Sequence, residues 1–344
     1  MPNIMLEDLG WTAQFQAQAD DLDPSLTPYR LTSVSRTTLH ALGTAGPMRL
    51  SLPPETSTGE FAVGDWVLAD EFIARHRLEP FSLLQRRASG PDARSQLMAA
   101  NVETLGIVTA CNGDFNIARL ERYVAMAASA DCLPLVILTR ADEVDDARPF
   151  QKQVEAISPL VTALTLDARD IGEVERLAPW CSAGKTLALM GSSGVGKTTL
   201  TNGLTGADLL TGGIREDDAR GRHTSTSRQM LRTLYGGWLI DTPGMRAVPL
   251  SDAADGIQAV FGDISELTEH CKFSDCAHET EPGCAVQAAV AAGTVDQDRY
   301  TRWKKLLAEE AHNTTSLAEA RKKDREREKT YTAGKARAKA KRGS

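Results

Sequence analysis

The chain has no long apolar run. Nothing in its 344 residues approaches the roughly eighteen consecutive apolar side chains that a membrane-crossing helix requires, so no membrane partner is expected. The opening "MPNIMLEDLGW" has neither the basic lead nor the apolar core of a secretory signal, and a cytoplasmic location is expected. Cysteine is sparse, six in all: Cys111, Cys132 and Cys181 are scattered, while Cys271, Cys276 and Cys284 fall close together. That distribution argues against a disulfide framework and for a metal site in a reducing compartment. Net positive charge is also missing. A formal charge of −7 excludes a protein coated along its length in nucleic acid, but the total conceals an asymmetry. Residues 321–344 hold eleven Lys or Arg against three Asp or Glu, which leaves 28 basic and 43 acidic side chains in the first 320 residues. A basic tail on an acidic body points to a local anionic partner.

This length predicts two or three domains. Residues 1–28 are polar, acidic and broken by Pro24 and Pro28, the composition of a loosely held lead-in. Over 29–95, β-rich runs such as "YRLTSVS", "PMRLSL" and "FAVGDWVLAD" recur about every ten residues between Gly and Pro, the texture of a small antiparallel barrel or sandwich. Trp66 is expected in its core, whereas Arg75, His76, Arg77, Arg86 and Arg87 are candidates for RNA phosphate contact. "RRASGPDARSQLM" reads as a connector. Residues 96–250 change period: "ETLGIVTAC" and "LPLVILTR" are continuous apolar strands around the helix-spaced "IARLERYVAMAASA", which predicts a parallel sheet in an α/β domain. "QMLRTLYGGWLIDTPG" reads as two strands about Gly236 and Gly237. Residues 251–320 turn helical and contain the cysteine cluster, with a charged helix candidate over 296–329, and 321–344 form the basic tail.

The strand "KTLALMG" runs directly into "GSSGVGKTT" at 191–199 and then a helix, the context that the phosphate-loop pattern GxxxxGK[ST] demands. Gly191, Ser192, Ser193, Gly194, Val195, Gly196, Lys197, Thr198 and Thr199 are therefore the nucleotide-contact candidates. The loop's N–H groups surround phosphates, Lys197 neutralises β- and γ-phosphate oxygens, and the Thr198 hydroxyl suits Mg²⁺. "DTPG" at 241–244 fits DxxG, placing Asp241 near the Mg²⁺ shell and the Gly244 amide toward the γ-phosphate. Between them "GRHTSTSR" offers Thr224, Ser225 or Thr226 to close on Mg²⁺; spacing leaves the choice open, and Thr224 is taken with Thr198 and Asp241 as the magnesium set.

An ordinary GTPase reads guanine with an NKxD segment well after this loop, and none follows residue 200. The candidate is "LTRAD" at 138–142, ahead of the loop. There an apolar strand ends in Thr139, Arg140 and Asp142. The Asp142 carboxylate can accept from the N1–H and exocyclic amine of guanine, a donor pair adenine lacks, and the Arg140 stem can lie over the base. "LTLDARD" can add a backbone contact near Asp167 and Ala168. Reader, base loop, phosphate loop, switch and DxxG in that order make a circularly permuted GTPase sheet. Where many GTPases have a water-orienting Gln after DxxG, this chain has Met245, so His223 in the switch segment is the catalytic candidate. Cys271, Cys276, His278 and Cys284 form CxxxxCxHxxxxxC, the ligand set of one closed structural Zn²⁺ site, with His270 a solvated neighbour.

With "VGDWV", "LTRAD", "GSSGVGKTTL", "GRHTST", "DTPGM" and "CKFSDCAHETEPGCAV", the chain resembles the RsgA (YjeQ) family over nearly its whole length. The resemblance implies an N-terminal OB-fold, a central circularly permuted P-loop GTPase domain and a C-terminal α-helical zinc-binding domain. It also implies GTP hydrolysis with Mg²⁺ in late maturation of the small ribosomal subunit, with that particle and its rRNA as partners of a monomer, and it supports His223 through "GRHT". Thr139, Arg140 and Asp167 depart from the Asn, Lys and Ser usual in the family. The rival readings are a nucleotide-gated RNA-binding module with incidental hydrolysis, and a small-molecule kinase, against which Asp142 speaks.

Overall fold

The computed structural model describes residues 4–87, 95–207, 228–241 and 253–315. Strand β1 (Thr27–Val34) alternates in the way a shared strand must: Tyr29 and Leu31 enter one apolar core, while Arg30 between them is buried elsewhere. β1 pairs antiparallel with β2 (Leu39–Gly43) and β4 (Trp66–Asp70), β2 with β3 (Gly46–Leu50), and β4 with β5 (Ile73–Arg77). Ser51, just past β3, bridges Ile73 of β5 in parallel and closes the ring of five strands. This is an OB-type barrel. Its interior is filled by Leu31, Leu39, Leu50, Val67 and Ala74 among others.

β6 (Leu83–Arg87) and β7 (Ser95–Ala100) form a separate antiparallel hairpin. The expected connector therefore has strands on both flanks. Its Arg, Ser and Gln content hid them, because only Leu84, Met98, Ala99 and Ala100 supply the buried face.

The second region is a parallel sheet of β8 (Thr104–Ala110), β9 (Leu133–Thr139), β10 (Thr162–Thr165), β11 (Thr186–Gly191) and β13 (Trp238–Asp241), with β12 (Gln229–Arg232) antiparallel beside β13. Every residue of β8 and β11 is buried, since helices cover both faces, and this explains their unbroken apolar runs. Ala188 and Met190 share one core with Val124 of helix α2 (Ile117–Ser129); Leu187 and Leu189 share the other with Leu200 and Leu204 of α5 (Lys197–Thr205). β12 also pairs with β1 through Ser33 and Gln229, so barrel and α/β region are parts of one eleven-stranded sheet.

Residues before β1 are not a loose lead-in. In helix α1 (Ala13–Asp20) Phe15 is buried; Trp11 meets the fully buried Trp66 edge-on at 4.8 Å, and the Trp238 indole donates to the Asp8 carbonyl at 2.8 Å. Leu9, Trp11 and Phe15 outweigh the segment's polar composition, because a buried aromatic ring removes about 150–250 Å² from water.

Between α2 and α5 lie α3 (Arg148–Glu155) and α4 (Ile171–Glu175). The last region comprises α6 (Ala254–Val260), α7 (Gly262–Thr268), α8 (Ala285–Ala291) and a helix over 297–315. α6 lies so close on α2 that a Cβ at Gly256 would stand 2.0 Å from the Ala125 carbonyl oxygen. Glu121 of α2, fully buried, accepts from Arg302 at 2.7 Å and pairs with Arg299 at 3.6 Å; burial raises its pKa and the two guanidinium groups oppose the rise. No helix among the described residues is long and apolar enough to cross a membrane.

Candidate functional site

β11 delivers the chain to the phosphate loop at the carboxyl edge of the parallel strands. Gly191 has φ 141°, and a Cβ there would stand 2.2 Å from the Val108 carbonyl oxygen, so only glycine lets the loop turn off the sheet beside β8. Gly196, at φ 96°, forms the N-cap of α5 and aims the helix's free N–H groups back into the loop, a favourable site for phosphate. Lys197 Nζ donates to the carbonyl of Gly191 at 2.8 Å and to that of Ser192, so its ammonium lies folded over the loop. Thr198 follows at the second helical position. Asp241, at the end of β13, is in register with Leu189, two residues before Gly191, which sets it on the strand next to the loop's approach. Gly244, Met245, His223, Thr224, Ser225 and Thr226 lie outside the described residues, as does the basic tail.

The segment "LTRAD", expected to read the base, is brought to the loop by strand order. β9 pairs with β8, which pairs with β11, so β9 ends level with the phosphate loop although it precedes it in the chain. Thr139, fully buried, donates its hydroxyl to the Val195 carbonyl at 2.7 Å and also contacts the Thr109 carbonyl at 3.1 Å. Arg140, left-handed at φ 56°, donates to the Gly194 carbonyl at 2.9 Å. Together these two side chains fasten residues 139–142 to successive loop carbonyls. The Thr139 hydroxyl is engaged inward, between the Val195 and Thr109 carbonyls.

Asp142 lies in the short turn Ala141–Glu143 and is ion-paired with Arg169. Arg169 in turn contacts Asp167, whose Oδ1 accepts from the Arg169 backbone N–H at 2.9 Å and from its Nε at 3.2 Å. The backbone hydrogen bond first, with the guanidinium contributing, lowers the Asp167 pKa. Arg169 was not singled out by its sequence. The available signal was its place in "LTLDARD", directly after the expected base-contact residues Asp167 and Ala168. Asp142 and Asp167 thus stand on either side of one cation at the carboxyl ends of neighbouring strands.

Cys271, Cys276, His278 and Cys284 converge, their ligand atoms all within 4.8 Å of one another. Cys271 Sγ and Cys284 Sγ are 3.8 Å apart, and His278 Nδ1 lies 3.4 and 3.6 Å from them. A tetrahedron with Zn–S bonds of about 2.3 Å has sulfur–sulfur edges of about 3.8 Å, so the donor spacing fits zinc. Burial first, and the Lys304 cation next, lower the His278 pKa and favour the neutral imidazole that can ligate. Its backbone is held from behind, the carbonyl accepting from Gln287 at 2.7 Å and from the Tyr300 hydroxyl at 2.6 Å. Cys284 also caps α8, accepting the Gln287 N–H. The scattered Cys111, Cys132 and Cys181 are buried, and desolvation pushes their thiols up to about 11, 12 and 11, the mark of inert packing residues.

The basic candidates on the barrel divide. Arg77 is committed to the fully buried Asp65 by two hydrogen bonds of 2.7 and 2.9 Å, and Arg75 to Asp70 at 3.0 Å. Arg77 is therefore a structural cation, which its sequence position beside His76 did not reveal. Arg30, also unforeseen, is fully enclosed: it donates to the carbonyls of Leu9, Gly64 and Asn101 and to the Thr186 hydroxyl at the head of β11. Desolvation draws its pKa down to about 10 while Glu103 opposes this; Glu103 in turn accepts the Thr186 N–H at 2.7 Å.

The family model described as RsgA GTPase matches residues 78–251. A Mesorhizobium japonicum protein named small ribosomal subunit biogenesis GTPase RsgA is 49% identical, covering 90% of this chain and 91% of its own length. A Vibrio parahaemolyticus protein named small ribosomal subunit biogenesis GTPase RsgA 2 is 42% identical, over 93% and 90%. Among solved structures, YjeQ from Thermotoga maritima superposes with a TM-score of 0.59 at 21% identity, covering 83% of this chain and 98% of that one. YloQ, described as a circularly permuted GTPase, gives 0.56 at 20% identity, over 83% and 94%.

Proposed function

The chain belongs to the RsgA GTPase family, and from that premise we propose that it hydrolyses GTP as a factor in small-ribosomal-subunit biogenesis, with its turnover raised by that particle. The observation that supports the nucleotide assignment best is the clasp of Thr139 and Arg140 on the carbonyls of Val195 and Gly194, which holds the segment proposed to read guanine against a phosphate loop made later in the chain. Asp142 reads the base, the loop residues 191–199 hold the phosphates, and Thr198, Asp241 and Thr224 are the side chains for Mg²⁺. Mg²⁺, when bound with GTP, supplies charge neutralisation at the β- and γ-phosphates. Gly244 faces the γ-phosphate and His223 orients the attacking water, since Met245 cannot. One structural Zn²⁺ per chain is held by Cys271, Cys276, His278 and Cys284. The division into barrel, GTPase and zinc domains at about residues 95 and 250 follows the same reading, as do a cytoplasmic monomer and an rRNA-facing barrel and tail.

GTP hydrolysis by the full chain, measured alone and with purified small subunits, tests the proposal. Slow turnover alone and at least a tenfold rise with subunits is expected. An equal rate with and without subunits overturns the ribosomal part, and displacement of GDP by equimolar ATP overturns the guanine part.

A further inference from the structure

Of the four residues in the Cys271, Cys276, His278 and Cys284 cluster, His278 alone has a left-handed backbone, at φ 60°, a conformation that any Cβ disfavours. It is also the ligand whose backbone direction matters most. Nδ1, the ring nitrogen 3.4 and 3.6 Å from the Cys271 and Cys284 sulfurs, sits beside the ring's attachment to the chain, so a turn of the backbone carries it off the thiolates. The peptide groups on both sides of His278 are tied down. Before it, the Ala277 carbonyl accepts from Lys304 Nζ at 2.7 Å. After it, the Glu279 N–H donates to Glu281 Oε2 at 2.8 Å, while the His278 carbonyl at the other end of the same peptide accepts from Gln287 and from the Tyr300 hydroxyl. Glu281 reaches further: its Oε2 accepts the Thr280 N–H at 3.0 Å, and its Oε1 accepts the Ala277 N–H at 3.0 Å. One carboxylate thus gathers three backbone donors from residues 277–280. No neutral side chain of its size can do so, because Gln has a single acceptor oxygen and turns its NH₂ on the remaining donor. Bonds to an ionised acceptor are also roughly twice as strong as neutral ones. Glu281 stands outside the ligand set itself, which three thiolates and an imidazole already fill.

We propose that Glu281 is a positioning residue of the metal centre: its carboxylate holds residues 277–280 in the turn that aims His278 Nδ1 at the thiolates. This role presupposes the zinc site proposed above, and it sets how tightly and in what geometry the ion is held. Groups behind a ligating histidine fix its ring, and their loss typically costs about 10–100-fold in metal affinity.

The test measures Zn²⁺ affinity of the full chain by competition with a chelator, and the visible ligand-field bands of Co²⁺ in place of Zn²⁺. E281Q, nearly unchanged in volume, should bind Zn²⁺ about tenfold more weakly or worse, and E281A should lose at least as much. At saturating Co²⁺, where the spectrum reads geometry and not occupancy, both variants should show weakened tetrahedral bands as His278 leaves the metal. A residue that merely stabilised the fold would leave that spectrum alone. D275N removes the same charge from the same exposed loop, yet Asp275 accepts none of the three N–H groups that Glu281 gathers, so it should keep the affinity within about threefold and the spectrum intact. Circular dichroism and GDP binding check that each variant is folded. An unmodified chain that takes up neither Zn²⁺ nor Co²⁺ overturns the zinc reading and this role with it. If the unmodified chain binds both metals but the two Glu281 variants match it in affinity or in spectrum, or if D275N loses as much as they do, Glu281 does not position His278.

Discussion

Replacing Asp142 with Asn tests how the base is read, because it alters one charge and scarcely any volume. In the structure the carboxylate projects from the turn after β9 and shares Arg169 with Asp167. To accept both guanine donors it must exchange that cation for the base, and an ion pair as open as this one, with Arg169 65% exposed, offsets only a small part of the gain. An Asn in the same place keeps one acceptor but turns its NH₂ toward the exocyclic amine, donor against donor. Losing a charged hydrogen bond and leaving a donor unmade costs about 3 kcal/mol, or roughly 150-fold in affinity. Xanthine carries a carbonyl where guanine carries the amine, so the same NH₂ becomes a partner and the preference reverses. Equilibrium titration with fluorescent GDP and XDP reads both effects on one preparation. A D142N protein that keeps GDP binding within tenfold of the unmodified chain, or fails to gain for XDP, would refute Asp142 as the reader.

Three other outcomes are expected. Cys276→Ser should lose the metal and loosen residues 262–291, while leaving GDP binding intact; elemental analysis and hydrogen exchange check the two halves, and zinc-free protein before mutation would contradict the ligand set. Arg30→Met should destabilise the chain by about 3–5 kcal/mol in urea unfolding, since it leaves Glu103 without its cation and removes the Arg30 donor from Leu9, Asn101 and Thr186, while the Gly64 carbonyl keeps Asn101; a loss under 1 kcal/mol would show that the knot is dispensable. His223→Ala should bind GTP and small subunits nearly normally yet lose most of the stimulated rate, and survival of that rate within threefold, worth about 0.65 kcal/mol of barrier, would assign water orientation to another group.

What the sequence disclosed best was whatever depends on local pattern. "GSSGVGKTT" could be placed because glycine at Gly191 and Gly196 answers a steric demand that no other residue meets. The Cys271, Cys276, His278 and Cys284 cluster was legible because three thiolates and an imidazole at short spacing have few alternative uses. The parallel strands showed themselves through unbroken apolar runs. Contacts made at long range were hidden. The burial of Leu9 and Phe15 depends on a surface assembled from Trp66 and Trp238, so a polar stretch read as a loose lead-in. Asp167 and Ala168 were noticed, but the coupling of Arg169 to Asp142 links the ends of two strands and is invisible to periodicity. Arg77 looked like a surface cation and Arg30 drew no reading, because nothing adjacent in sequence announces Asp65 or Thr186 as partners.

The Arg30 knot also sets a timetable for synthesis. Its Asn101 carbonyl arrives 71 residues after the arginine and its Thr186 hydroxyl 156 residues after, while the Trp238 indole that ties down Asp8 comes 230 residues behind it. At about 5–20 residues per second, the guanidinium waits roughly 8–30 s for its last acceptor. Until then a charge destined for complete enclosure has no full set of partners, and the barrel stays solvated on that side. The strand that supplies Thr186 is the one that opens into the phosphate loop. The newborn chain therefore cannot complete the enclosure of Arg30 before the strand that opens into the phosphate loop has been made.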